Sequence, residues 1–177
     1  LYPSPGFPIY ESMIEFHGGK AVPSTYIDNG GKFLLDLDQL KSNITSKTSM
    51  LIFNNHHNPT AAESPHDELE ALAEICLEND LWVLSDEAYF ETRYEGESES
   101  IASIPGMAER TVILYTFSKR FAMTGWRVGA SIGPPDVMEI IGQLNVNDES
   151  CTNHFAQWAM IEALEGGTEM CKPITDE

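Results

Sequence analysis

Basic residues are scarce in this chain: 10 Lys and Arg stand against 28 Asp and Glu, a formal net charge of −18. A field of that sign disfavours binding to DNA, RNA or an anionic membrane surface, and reads as an acidic, solvated exterior. Cysteine is sparser still. Cys76, Cys151 and Cys171 are odd in number and widely spaced, with no CxxC or Cys/His ligand spacing. Neither a disulfide framework nor a metal site is indicated, and a reducing, cytoplasmic setting is the expectation. No window approaches the roughly 18 consecutive apolar residues of a membrane helix. The opening run LYPSPGFPIYE has neither the basic start nor the apolar stretch of a signal peptide. Repeats, low-complexity tracts and flexible linkers are also missing. What remains is 177 residues, 42% hydrophobic and 21% charged, enough for one domain with a sizeable core. The proline-rich opening without an initiator methionine is that expected of a fragment.

Along the chain, short apolar runs alternate with amphipathic stretches. Residues 10–17 predict a short helix closed by Gly18-Gly19. A short strand is expected at 20–23, a turn at Asn29-Gly30-Gly31, and a helical turn at 36–43 with Asp36 as N-cap. The run 49–55 reads as a buried strand. Leu69, Leu72, Ala73, Ile75, Cys76 and Leu77 recur at helical spacing over 64–80, with Ser64 as N-cap. Further strands are expected at 81–89, 111–118 and 128–133, then helices from Pro134-Pro135 to about 144 and over 152–165. This alternation predicts an α/β fold, a three-layer α/β/α arrangement on a mostly parallel sheet. Polar ligands of such sheets collect beyond the strand ends.

The unusual residues lie at those ends. Beyond 49–55 comes His56-His57-Asn58-Pro59-Thr60; beyond 81–85, Asp86-Glu87-Ala88-Tyr89; beyond 111–115, Thr116-Phe117-Ser118-Lys119, with Arg127 eight residues on. An amide, a carboxylate with a phenol, and a lysine with hydroxyls at three strand ends describe a pocket for an anionic ring cofactor. Each residue also has a plainer reading: a surface charge for Lys119, a cap for Asp86, packing for Tyr89 and Phe7, a strand-end hydrogen bond for Ser118. Adjacent His56 and His57 on extended backbone point opposite ways and lack a third ligand, so no metal is expected. Trp82, Trp126 and Trp158 read as core or helix-packing residues, and Glu91, Glu95, Glu97 and Glu99 as a solvated loop.

The segment 118–129, SKRFAMTGWRVG, resembles the lysine-bearing segment of the class I/II aminotransferases, pyridoxal-phosphate (PLP) enzymes of the aspartate aminotransferase-like kind. The segments 3–10 (PSPGFPIY), 58–60 (NPT) and 86–89 (DEAY) are similar to that family in the same order, and the likeness runs over about 1–166. The resemblance implies that Lys119 bears pyridoxal 5′-phosphate as a Schiff base and later carries the substrate α-proton. It implies that Asp86 pairs with the pyridine nitrogen, and that Asn58 and Tyr89 bond the ring oxygen. Arg127 would hold the phosphate with its guanidinium fork, helped by Thr116 and Ser118, with Thr116 the better match. Phe7 would cover a face of the ring. Cis bonds before Pro59 and Pro5 are also implied.

The implied activity moves an amino group between an L-amino acid and a 2-oxo acid through pyridoxamine phosphate, in a homodimer. A PLP-dependent carbon–sulfur β-lyase and a catalytically dead module of the same fold are the alternatives. His56 stands where the family commonly has proline, and Ala61 where it has glycine. The family runs to about twice this length, more than one typical domain. Residues 1–177 are therefore expected to be a partial PLP-binding large domain, incomplete at both ends. The N-terminal phosphate loop, the small domain with its carboxylate-binding arginine, and the partner's tyrosine lie outside it. Apolar surface is expected where such elements would pack.

Overall fold

The computed structural model describes residues 1–176, apart from the side chains of 168 and 175. Strand β1 (Tyr2–Pro3) pairs in parallel with β2 (Pro23–Ser24), with helix α1 (Ile9–Phe16) between them. The strand expected at 20–23 thus shifts to a two-residue pairing, because only Pro23 and Ser24 find a partner there. A hairpin follows, β3 (Tyr26–Asp28) against β4 (Phe33–Leu35). Its turn takes Gly30 and Gly31 through φ of 67° and 90°, backbone that suits glycine. The amide of Gly31 donates to Asp28 Oδ1 at 2.7 Å. Helix α2 (Leu37–Asn43) starts as expected, with the Asp36 carboxylate accepting from the amide of Gln39.

The main sheet has four strands: β5 (Met50–Asn54), β6 (Trp82–Asp86), β7 (Thr111–Thr116) and β8 (Gly129–Ile132). They lie in that order, the first three parallel and β8 antiparallel to β7. This is the expected α/β class with a mostly parallel sheet. Helix α3 (His66–Glu78) makes the crossover from β5 to β6, and its buried face of Leu69, Leu72, Ala73, Ile75 and Cys76 packs on Leu51, Phe53, Leu81 and Val83. Each fully buried Leu or Phe contributes about 1.5–3 kcal/mol by leaving water, so this contact anchors the sheet. Ser64 does not cap α3. Pro65 occupies the N-cap with no side-chain hydrogen bond, its extended backbone suiting the entry to a helix.

Helix α4 (Pro135–Asp148) and helix α5 (His154–Thr175) follow the sheet. Both outrun their expected ends, and Gly167 breaks the second, with φ 56° and ψ −150°. Ala156 and Ala163 of α5 pack on Phe117, Met123 and Val128, which seats the lysine-bearing segment on a small core of its own. Elsewhere these helices leave Ile140, Leu144, Phe155, Trp158 and Leu164 exposed, the apolar surface the sequence led one to expect. Trp126 and Trp158, read as core or helix-packing residues, are exposed too, so neither belongs to the core. Trp126 packs edge-on against Phe155 of α5, and Trp158 lies tilted beside His154, donating from Nε1 to its Nε2 at 3.3 Å. No helix among the described residues is long and apolar enough to cross a membrane.

Candidate active site

Strand register sets the site. Asn54 pairs with Asp86, and Asp86 with Leu114, so β5, β6 and β7 deliver their following residues to one edge of the sheet. A cavity of about 120 Å³ opens there, lined by Phe7, Asn58, Asp86, Tyr89 and Lys119, together with Tyr10, Asn54 and Ala88. Five of the residues singled out in the sequence therefore converge. Lys119 is exposed, and its Nζ stands 5.1 Å from the centre of the Tyr89 ring. Phe7 is half-exposed and edges Tyr10 with centroids 6.0 Å apart.

Asp86, the last residue of β6, is held from three sides. Tyr10 donates its phenol to Oδ2 at 2.6 Å, the amide of Ala88 donates to Oδ1 at 3.1 Å, and Asn54 Nδ2 donates to the backbone carbonyl at 2.8 Å. Asp86 thus makes a local turn bond as well as facing the cavity. Burial first, and then the Asp86 carboxylate, push the Tyr10 phenol far above its ordinary range, so Tyr10 stays a donor. Asn54 also accepts from the amide of Asn58 through Oδ1 at 2.9 Å. That bond fixes the turn in which Asn58-Pro59 is cis, and Ser4-Pro5 is cis as well. Sequence reasoning missed Tyr10 and Asn54. The available signals were Tyr10's place at the end of the PSPGFPIY segment and a polar residue ending an otherwise apolar strand.

Three flagged residues do not line this cavity. Thr116 Oγ1 accepts from the amide of Ser118 at 3.1 Å, within their own turn. Arg127 has left-handed backbone at φ 53° and donates from Nη1 to the Thr124 carbonyl at 2.8 Å. It lines a second cavity, about 800 Å³, with Trp126, Asn153 and Phe155. The acidic loop is also not wholly solvated. Glu91 accepts from Tyr115 at 2.5 Å and pairs with Arg120, and Glu99 pairs with His66. His57 stacks on Tyr26 at 4.1 Å, facing away from His56. No group of three metal-ligating side chains occurs among the described residues.

Beside Asp86, Glu87 points to the opposite face, as strand alternation requires. It is buried and accepts from Ser85 at 3.0 Å and from Ser100 at 2.5 Å. Burial pushes its carboxyl upward, and the two hydroxyls pull it partly back. The folded state therefore holds this proton more tightly than the unfolded chain. Its contribution to stability is complete below the ordinary glutamate range and is lost as pH rises through the folded-state value. Glu87→Gln keeps an acceptor for both hydroxyls without the buried charge. The variant is expected to gain stability relative to the native protein as pH rises from about 4 to 8, read as urea midpoints; parallel profiles would refute the assignment.

An amine, a carboxylate, a phenol and an amide around one cavity form a donor set that fits the aldehyde, ring nitrogen and ring oxygen of pyridoxal 5′-phosphate. The family model described as "Aminotransferase class I and II" matches residues 1–172. The chain belongs to the class I and II aminotransferases. It is 42% identical over 166 residues to aromatic-amino-acid aminotransferase 2 of Thermococcus litoralis, covering 93% of this chain and 42% of that protein. It is 40% identical over 166 residues to an aspartate aminotransferase of Pyrococcus abyssi, with the same coverage of 93% and 42%. The fold superposes on the crystal structure of an aromatic aminotransferase from Pyrococcus horikoshii with TM-score 0.93 and 36% identity, over 99% of this chain and 48% of that one. This aminotransferase chain thus spans a little under half the length of these relatives. The family works with pyridoxal 5′-phosphate, and the lining of the Asp86–Lys119 cavity suits it.

Proposed function

We propose that the protein carrying this chain transfers an amino group between an L-amino acid and a 2-oxo acid, with Lys119 bearing pyridoxal 5′-phosphate. The observation that carries this reading is the meeting of Lys119, Asp86, Asn58 and Tyr89 at one cavity. Bound there, the cofactor supplies an electron sink for the amino-acid α-carbon. Lys119 tethers it, and the freed amine takes and returns the α-proton. Asp86 holds positive charge at the ring nitrogen, and Tyr10 keeps that carboxylate aimed. Asn58 and Tyr89 would donate to the ring oxygen, and Phe7 would cover one ring face. Arg127, Thr116 and Ser118 lie outside that cavity, and the family resemblance alone assigns them to the phosphate. Residues 1–177 form part of the cofactor-binding large domain of a cytoplasmic homodimer, whose partner packs against apolar surface of the kind left on α4 and α5. The relatives are named for aromatic amino acids and for aspartate, so the substrate side chain is to be found by assay.

The test is an absorbance spectrum of the intact protein with added pyridoxal 5′-phosphate, then borohydride reduction, peptide mapping and a panel of amino acids with 2-oxo acids. A visible band fixed on Lys119, with amino-acid consumption matched by oxo-acid consumption, is expected. A label elsewhere, or no band from folded protein, sinks the reading. Ammonia and thiol released from a thioether amino acid, with no oxo acid consumed, would point to a carbon–sulfur lyase instead.

A further inference from the structure

His56 takes left-handed backbone at φ 54°, a region non-glycine residues enter seldom and histidine more than most. Its side chain is only 11% exposed. Nδ1 lies 2.8 Å from the carbonyl oxygen of Tyr89. A carbonyl can only accept, so Nδ1 carries the proton. On the far side, Nε2 faces Ser98 Oγ at 3.2 Å and the Glu63 carboxylate at 3.5 Å. The Phe90 ring lies over the imidazole, with centroids 6.5 Å apart and planes 20° from parallel. Glu63 is held in turn by Arg93, whose Nη1 also donates to the Glu97 carbonyl at 2.9 Å. One imidazole therefore ties the turn after β5 to the loop after β6.

The bond acts on the residue whose ring stands 5.1 Å from Lys119 Nζ. A proline, which the family resemblance leads one to expect at this position, has nothing to donate. We propose that His56 is a positioning residue, whose Nδ1 bond to the Tyr89 carbonyl fixes the Tyr89 phenol relative to Lys119. The proposal rests on the reading of the Asp86–Lys119 cavity as the cofactor site, since only there does the place of that phenol affect chemistry.

Two readouts on the intact protein test it. The first uses no cofactor. The amide of Thr92 donates to the same Tyr89 carbonyl at 2.9 Å, so its hydrogen exchange reports on that anchor. Exchange is expected to be about tenfold faster in His56→Ala, the equivalent of one lost hydrogen bond. His56→Asn restores it, because its amide reaches the Nδ1 position and asparagine tolerates positive φ. His56→Gln, which donates from the Nε2 position, behaves like the alanine variant and serves in its place if alanine unfolds the protein.

The second readout is the pH midpoint of the visible band of the Lys119-bound cofactor. Tyr89→Phe shifts it, His56→Ala shifts it in the same direction, and in the Tyr89→Phe background the His56 effect largely vanishes. A residue that only supports the fold would lower stability without this coupling. Unchanged Thr92 exchange in His56→Ala, or additive shifts in the double variant, overturns the proposal. A native protein with no band on Lys119 overturns the cofactor reading instead, and the exchange measurement still decides the role of His56.

Discussion

Lys119→Arg is expected to abolish amino-group transfer, lowering kcat/KM by at least about 10²–10⁴-fold, the share a positioned acid–base group supplies. Arginine keeps the charge and most of the length, yet its guanidinium does not deprotonate in a protein. It can therefore neither attack the cofactor aldehyde nor accept the α-proton. The fold should barely notice, because Lys119 is exposed and lies outside the two buried clusters. The measurement is steady-state transamination beside a urea melt and a cofactor spectrum. Native-like activity in Lys119→Arg would remove this lysine from the chemistry. Lost activity with an equal loss of stability would mean that the segment, and not the amine, had failed.

Asp86→Asn comes second. A hydrogen bond to a charged group is worth about 1.5–3 kcal/mol, so cofactor affinity should fall about tenfold to a hundredfold. Turnover should fall further, because the uncharged amide no longer favours the protonated ring nitrogen on which electron withdrawal depends. Asparagine preserves the shape: its one oxygen still accepts from Ala88, and its Nδ2 can donate to the Tyr10 hydroxyl, which then turns from donor to acceptor. Stability is therefore expected to change little, whereas affinity by fluorescence titration and single-turnover rates both drop. Tyr10→Phe should shift both in the same direction by less, since it loosens the carboxylate without removing its charge. Unaltered affinity in Asp86→Asn would leave the carboxylate as a turn-former for Ala88 alone.

Much of the site was legible because strand ends are local features. The run at 49–55, the DEAY segment and the SKRFAMTGWR segment each announce a buried strand that stops at polar residues, and parallel strands that stop in register present those residues together. The cis bonds at Pro5 and Pro59 were likewise written in the motifs that contain them. The errors were of another kind. Ser64 has the chemistry of a cap, but the helix begins beyond Pro65, where the backbone has already turned. Trp126 and Trp158 are apolar enough for a core, yet both are exposed, and Trp126 keeps just the helix-packing part of its reading, against Phe155 of α5.

The sequence by itself determined the class of fold and the strand ends that carry Lys119, Asn58, Asp86 and Tyr89, because hydrophobic period and short motifs are properties of neighbouring residues. Tertiary structure alone decided that Tyr10 reaches Asp86 across 76 positions and that Asn54 braces both Asp86 and Asn58. It also decided that His56 grips the Tyr89 carbonyl 33 positions away, and that Arg127 faces a different cavity from Lys119. Such contacts depend on crossover paths and on the register of β5 with β6. Changing that register by one residue would reverse the face each side chain presents, and no local pattern in the chain records it.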